Sequence, residues 1–580
     1  MKQTIQFLMM LAVVVLPACS EDEVVFGDDS FQLDGSTSGS SSTTSTSIGD
    51  LSSFDIAIDK TPLSEASLTG DDEDLLSNNT FATTVTITFS DNSYSVDGVV
   101  DGVDFSASSG ADVIVSSTVS GINYVLTGTT SNGMFKVYSS KKYQLTLNGV
   151  SITNNDGPAL NLQSGKRAYV YAADGTTNTL TDGTTYASSD EDQKGTVFSE
   201  GKLLFSGTGI VNVYGKGKNG IASDDYIKVF PGANIYVNAT AGHGIKANDS
   251  ILVEGGVINV ETSATAAKGI KSDGLIQIDG GRTTVITTGN GEYDSEERDA
   301  SGAAGVKTDS IFRINAGQLL CKSTGTGGKG IKTDQECYFN GGTVKVITTG
   351  KTYTYSSRID AKAKGIKADK DLIINDGNIM VRATGGDGSE GIESKSVMTI
   401  NGGTTQVLAY DDAINSASHL YIKGGDVLAY STGNDGLDSN GNMYIQGGTT
   451  VAYGTRQPEC GIDANEEGGY SVYFLGGNLF AIGGGNSTPS SSQSTQGYVT
   501  TSGSISAGTT ATITSGSTTL ASFSLPANYS SGSILVTANG MTAGNSYTLS
   551  IGSASATLSA VQYGGSGMGG TPGGGRPGGR

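Results

Sequence analysis

Five aspartates late in the chain share a spacing. A short unit recurs there; Asp411 and Asp412 precede one copy and Asp435 the next, while Asp438 and Asp463 are the third residues of two successive copies. Carboxylates gathered this closely repel unless a cation bridges them. Ca²⁺ takes roughly six to eight oxygen ligands in loose geometry. Asp411, Asp412, Asp435, Asp438 and Asp463 therefore form a candidate calcium corner, the alternative being an acidic, solvated one. In earlier copies the third residue is Lys246, Lys271, Lys307, Lys332 or Lys367. Residues alternating in and out of a strand put these ammoniums on the outer face, ~4.8 Å apart in a stack of strands. Such a column needs counter-charge. Asp224, Asp273, Asp309, Asp334 and Asp369, two residues beyond the third position, supply it. The column reads as a ladder of surface ion pairs or, more sharply, as a strip for a polyanion, with Lys332 and Lys367 as contact candidates.

Other candidates are aromatic. Tyr421, Tyr444 and Tyr473 take the outward middle position of the unit's second strand. Tyrosine offers a sugar an apolar face and a polar edge; the plainer reading is a ladder that shields the sheet. Two insertions, residues 289–304 and 350–364, interrupt the repeat at the same corner and read as two walls of a groove. One carries Glu292, Asp294, Glu296 and Glu297, the other Tyr353, Tyr355 and Arg358. Long loops on a solenoid often carry its function. The two histidines, His243 and His419, are too few and too distant for a histidine metal site.

What positions these residues is the repeat. Copies begin at Gly220, Gly244, Gly269, Gly305, Gly330, Gly365, Gly391, Ala413, Gly436 and Gly461, a period of about 24 residues apart from the two insertions. The second residue of each is Ile, Val or Leu, from Ile221 to Ile462. A second alternating strand follows, as Ile251/Val253 or Leu420/Ile422, then a Gly-Gly turn, then a third strand such as Val344/Val346. Period-two alternation means strands with one buried face. Three short strands per turn describe one coil of a parallel β-helix. A propeller blade needs about 40 residues, and a leucine-rich repeat needs a helix. Asn315, Asn340, Asn375 and Asn401 recur at one turn position and predict a side-chain hydrogen-bond ladder. Cys321 and Cys337 fall among inward positions, and Cys460 leaves the set odd, so no disulfide framework is expected.

The ends differ in character. Phe7 to Leu16 is apolar and too short to span a membrane, which marks a secretory signal. Residues 19–53 read as a Ser/Thr-rich tether, 54–483 as an N-terminal cap and the β-helix, 484–563 as a small C-terminal β module, and 564–580 as a Gly-rich disordered tail. A net charge of −22 turns nucleic acid away.

Three resemblances add to this. Leu16-Pro17-Ala18-Cys19 resembles the bacterial lipobox, which implies removal of residues 1–18 and lipidation of Cys19. Ser20-Glu21-Asp22-Glu23 resembles the surface-export signal of Bacteroidetes lipoproteins, implying an outer-membrane lipoprotein exposed at the cell surface. The segment from Leu145 to Thr153, the later Gly-Thr-Thr-Asn-Thr-Leu (175–180) and the Gly-Ile-Lys-Ala/Ser-Asp units resemble the carbohydrate-binding β-helix family typified by a clostridial cell-surface protein that binds cellulose and polygalacturonate. That resemblance spans roughly residues 80–560. It implies a right-handed parallel β-helix akin to pectate lyases, bound calcium and sugar binding without established catalysis. The expectation is an all-β, monomeric, non-catalytic surface protein that binds plant cell-wall or acidic polysaccharide. The alternatives are a calcium-dependent polysaccharide lyase with Lys367 as base, and a structural adhesin or spacer.

Overall fold

The computed structural model describes residues 48–106 and 110–562. The signal peptide, Cys19 and the Gly-rich tail lie outside the described residues. The described chain is a parallel β-solenoid. In one coil the strands are Ile245–Ala247, Ser250–Val253 and Val257–Thr262, and each pairs in parallel with its counterpart in the next coil. First strands stack into a 15-stranded sheet; second and third strands form the other two faces.

The alternation dictates this stacking. Ile221, Ile245, Ile270, Val306, Ile331, Ile366 and Ile392 face one another in register and are fully buried. Cys321 and Cys337 join the same core as free thiols. Each such side chain contributes about 1.5–3 kcal/mol by leaving water, but only when a neighbouring coil covers it. Hence the stack is cooperative. The turn glycines are required by geometry. Gly256 has φ +85°, and a Cβ there would lie 2.6 Å from the Ala233 carbonyl oxygen of the coil before it. Gly269 passes so close to Val285 that a Cβ would meet its methyl at 2.0 Å. The asparagine ladder is present: Asn340 donates to Asn315, Asn375 to Asn340 and Asn401 to Asn375, each at 2.7 Å.

Both ends of the stack are closed. Thr83–Ser90 and Ser93–Asp97 form an antiparallel hairpin at the start. At the far end Tyr529–Thr537 pairs antiparallel with Asn478–Gly483 of the last coil and with Tyr498–Ile505. A four-stranded antiparallel sheet completes this module around a second core that includes Phe480 and Phe523. Pairing the last coil removes an exposed sheet edge. The segment before the solenoid runs back along its flank. Asp55 pairs with Lys322, Asp59 with Arg282, Asp72 with Lys228 and Asp74 with Arg167. At its start, Ile48–Ser53 is a short helix with Leu51 buried, although the sequence reads these six residues as tether.

The insertions depart from expectation. Each folds as an antiparallel hairpin, Glu292–Asp294 with Asp299–Ser301 and Tyr353–Ser356 with Ile359–Ala361. They do not oppose each other as two walls. Tyr293 and Tyr355 stack at 3.9 Å and 6°, joining the hairpins into one wall beside the first-strand sheet. One intervening coil separates them by only about two strand spacings, ~10 Å, a gap two aromatic side chains close.

Candidate functional site

The third residue of each coil forms one continuous outward column. In ladder order it reads Lys246, Lys271, Lys307, Lys332, Lys367, Glu393, Asn415, Asp438 and Asp463. The lysine half is neutralised from within. Lys271 reaches Asp273 at 3.0 Å and Asp309 at 3.5 Å. Lys307 pairs with Asp309 and with Asp334 at 2.7 Å, and Lys332 with Asp334 and Asp369. Lys271, Lys307 and Lys332 thus each bridge their own coil and the next. Lys367 closes the series with Asp369 alone, at 3.3 Å, because the next coil offers Lys395 at the matching place.

A second column lies one residue before each coil. It contains His243, Lys268, Ala304, Lys329, Lys364, Glu390, Asp412, Asp435 and Cys460. Sequence reasoning found its acidic end and missed its basic end, although the same register displays both. Lys364 is buried and paired with Glu390 and, at 2.8 Å, with the fully buried Glu393. Lys268 donates to the Ala266 and Gly302 carbonyls and to Ser301 Oγ, which fixes the root of the first hairpin. Burial, reinforced by Lys307 and Lys271, lowers Lys268 to about 8. Burial and a ring of lysines lower Lys329 to about 7. His243 is held neutral by burial and by Lys268, down to about 3.

Between these columns and the hairpin wall lies a cleft of about 830 Å³. Its floor holds Lys268, Lys271, Lys307, Lys329, Lys332, Lys364 and Lys367; the wall contributes Glu292, Asp294, Asp360 and Lys362. Asp360 and Lys362 also line a second hollow of about 530 Å³ further along, with Tyr410, Asp411 and Glu459.

The acidic end is organised differently. One oxygen each from Asp435, Asp438 and Asp463 lie within 4.8 Å of one another. That separation fits a shared cation with Ca–O bonds of about 2.4 Å, and an all-carboxylate donor set suits a hard cation. Among the described residues no hydrogen bond reaches the Asp438 carboxylate. Burial, then the charges of Asp412, Asp435 and Asp463, raises it well above the usual carboxylate range. Burial raises Asp435 to about 9, with Asp412 adding to it, and Asp412 to about 7, with Asp411 adding. Asp463 is raised by burial and accepts from Ser487 at 2.8 Å. Of the five predicted ligands, Asp412 adjoins the group and accepts from Asp435 N–H and Asn415. Asp411 is directed elsewhere, to Gly388 N–H and Asn434. Asp192, Glu200 and Asp224 also cluster, but Lys194 already pairs with Asp192 and Asp224.

The aromatic candidates lie apart from the cleft. Tyr421 and Tyr444 stack at 4.7 Å and 3°, and Tyr444 and Tyr473 at 5.1 Å and 22°, on the second-strand face. Their ring faces are turned on each other, which leaves edges outward. Tyr355 is stacked on Tyr293, and Tyr353 lies over Gly291, where a Cβ would meet its ring at 2.7 Å. Arg358 is exposed on the second hairpin. Of the sugar-contact candidates, Lys332 and Lys367 line the cleft.

Residues 109–285 and 303–436, more than half of the chain, match the family described as carbohydrate-binding domain-containing protein. The break between the matched stretches falls on the first hairpin. A curated relative from Acetivibrio thermocellus, described in the same words, is 31% identical over 121 residues. The match covers 20% of this chain and 42% of the relative, so the chain spans under half the length of the relative it matches. A solved structure described as the polysaccharide lyase-like protein from C. thermocellum, gadolinium derivative, aligns with a TM-score of 0.34 and 20% identity, over 51% of this chain and 96% of that chain.

Proposed function

We propose that this chain, which belongs to the carbohydrate-binding domain-containing family, holds a strand of acidic polysaccharide in the lysine-floored cleft without cleaving it. The carrying observation is the cleft itself, in which coil after coil presents an ammonium beneath a wall made by the two hairpins. Successive floor positions are about 4.8 Å apart, close to the length of one sugar residue, so carboxylates along a uronate chain match them. The aspartates that neutralise the lysines in the free protein give up part of that pairing to the ligand. In the same reading Ca²⁺ sits among Asp435, Asp438 and Asp463, with Asp412 beside it, and neutralises the corner at the end of the column. Lipidated Cys19 holds the protein, as a monomer, at the outer membrane and displays it at the cell surface. A glycan array probed with and without chelator tests the reading. Acidic plant cell-wall glycans such as polygalacturonate are expected to bind; silence across the array would leave a structural adhesin or spacer.

One observation favours a second reading, a polysaccharide lyase. A base must be neutral to take a proton. Lys367, the sequence choice, is tied to Asp369, whereas Lys329 is held near neutrality. Growth of ultraviolet absorbance from an unsaturated uronate, on incubation with polygalacturonate, would replace the binding reading with this one.

A further inference from the structure

Among the lysines of the cleft floor, Lys329 and Lys268 are the two without a carboxylate partner among the described residues, and of these only Lys329 has donors to spare. Lys271, Lys307, Lys332 and Lys367 each reach an aspartate, and Lys364 reaches two glutamates. Lys268 has no carboxylate, but its bonds to two carbonyls and a hydroxyl use all three donors of an ammonium. Lys329 donates only to the Gly327 carbonyl, at 3.2 Å, and among the described residues no carboxylate lies within ion-pair distance of it.

The charges that act on it are those of four lysines. Lys364 stands opposite it in the next coil, Lys332 is on its own strand, and Lys367 lies diagonally. On the other side Ala304 leaves a gap before Lys268. The nearby carboxylates are committed, Asp334 and Asp369 to Lys332 and Glu390 to Lys364. Asp360 and Glu292 on the hairpins line the cleft without pairing with Lys329. The result is an uncompensated positive spot under a wall, with two N–H directions unused.

We propose that Lys329 anchors one anionic group of the glycan, a uronate carboxylate or a sulfate, and that binding draws a proton onto its amine. The inference rests on the acidic-glycan reading and deepens it. Before binding, burial and the four surrounding lysines keep the amine near neutrality. A bound anion favours the charged form and raises the amine back toward its ordinary range. Near pH 8 the amine is therefore mostly unprotonated when the cleft is free and protonated when it is filled. Lys268, held to about 8, has no donor left for a ligand, so it feels a bound anion only through its field and adds a fraction of a proton at most.

Calorimetry of the full chain at pH 8, in two buffers of different ionisation enthalpy, tests the proposal. The probes are an oligogalacturonate, a sulfated oligosaccharide of equal length and a neutral cello-oligosaccharide. Uptake of close to one proton with an anionic probe is expected, and the probe that shows it identifies the anion. Lys329→Arg, permanently charged, is expected to bind with most of the uptake lost, leaving only the fraction due to Lys268. Lys329→Met is expected to lose affinity about tenfold or more; unchanged thermal unfolding of both variants excludes misfolding. Binding without uptake, or uptake undiminished in Lys329→Arg, overturns the anchor while leaving the acidic-glycan reading intact. If neither anionic probe binds, both fall together.

Discussion

The lysine coils and the acidic coils are built on the same strand. From Ile245 to Ile462 the inward residue hardly changes, while the outward neighbour passes from Lys246 through Lys367 to Asp438 and Asp463. Two residues further on, the lysine coils carry Asp273, Asp309, Asp334 and Asp369. The acidic coils carry Ala417, Asn440 and Asn465 at that place. One half therefore brings its own counter-charge and the other does not. A buried carboxylate without a partner must take a proton or a cation. The shared backbone shows that the fold is indifferent to the sign of this column, which leaves the column free to serve binding.

The comparison breaks most severely if the lysine half is made acidic. Lys332→Glu combined with Lys367→Glu sets new carboxylates against Asp334 and Asp369; loss of acidic-glycan affinity of about 100-fold or more is expected by calorimetry. The next effect lies in the acidic half. Asp438→Asn removes one of three converging carboxylates, so Ca²⁺ affinity should fall at least about tenfold, since ligand charge sets affinity in such sites. The same variant should melt higher than the parent in chelator above pH 7, because it relieves repulsion.

A pH series sharpens the contrast further. Asp412 and Asp435 are raised in the folded state, to about 7 and about 9. The folded chain then holds more protons than the unfolded chain between their ordinary values, near 4, and those raised ones. Stability must fall as pH rises across that window. In chelator, melting temperature should drop by several degrees from pH 5 to pH 9, and Ca²⁺ should restore it at the alkaline end with little effect at pH 5. A flat, calcium-insensitive profile would make the corner merely solvated. The smallest effect belongs to the edge of the lysine half. Lys246 reaches Asp273 only at 3.9 Å, and Lys246→Ala should change stability by about 0.5 kcal/mol or less in denaturant titration.

The fold was legible to the level of register. Ile331 opposes Ile366 and Lys332 opposes Lys367 as the spacing requires, and the asparagine ladder follows from four residues at one turn position. The site was legible in part. Asp435, Asp438 and Asp463 come together, while Asp411 lies in the same stretch of sequence and turns away to Gly388 and Asn434. Tyr421, Tyr444 and Tyr473 stand in one column, yet stacking on each other commits their faces. Spacing gives the column a side chain occupies, but not what its atoms touch.

The sequence by itself determined the coil, its inward columns, the glycine turns and the change of charge along one face. Each of these repeats, and a period of about 24 residues carries its own evidence in every copy. The tertiary structure alone decided what does not repeat. The two hairpins have no register with the coils, so only folding could show that Tyr293 and Tyr355 join them into one wall. Lys329 looks like its neighbours in the sequence. Its isolation depends on which carboxylates the surrounding lysines have already taken, and that accounting exists only when the coils are stacked.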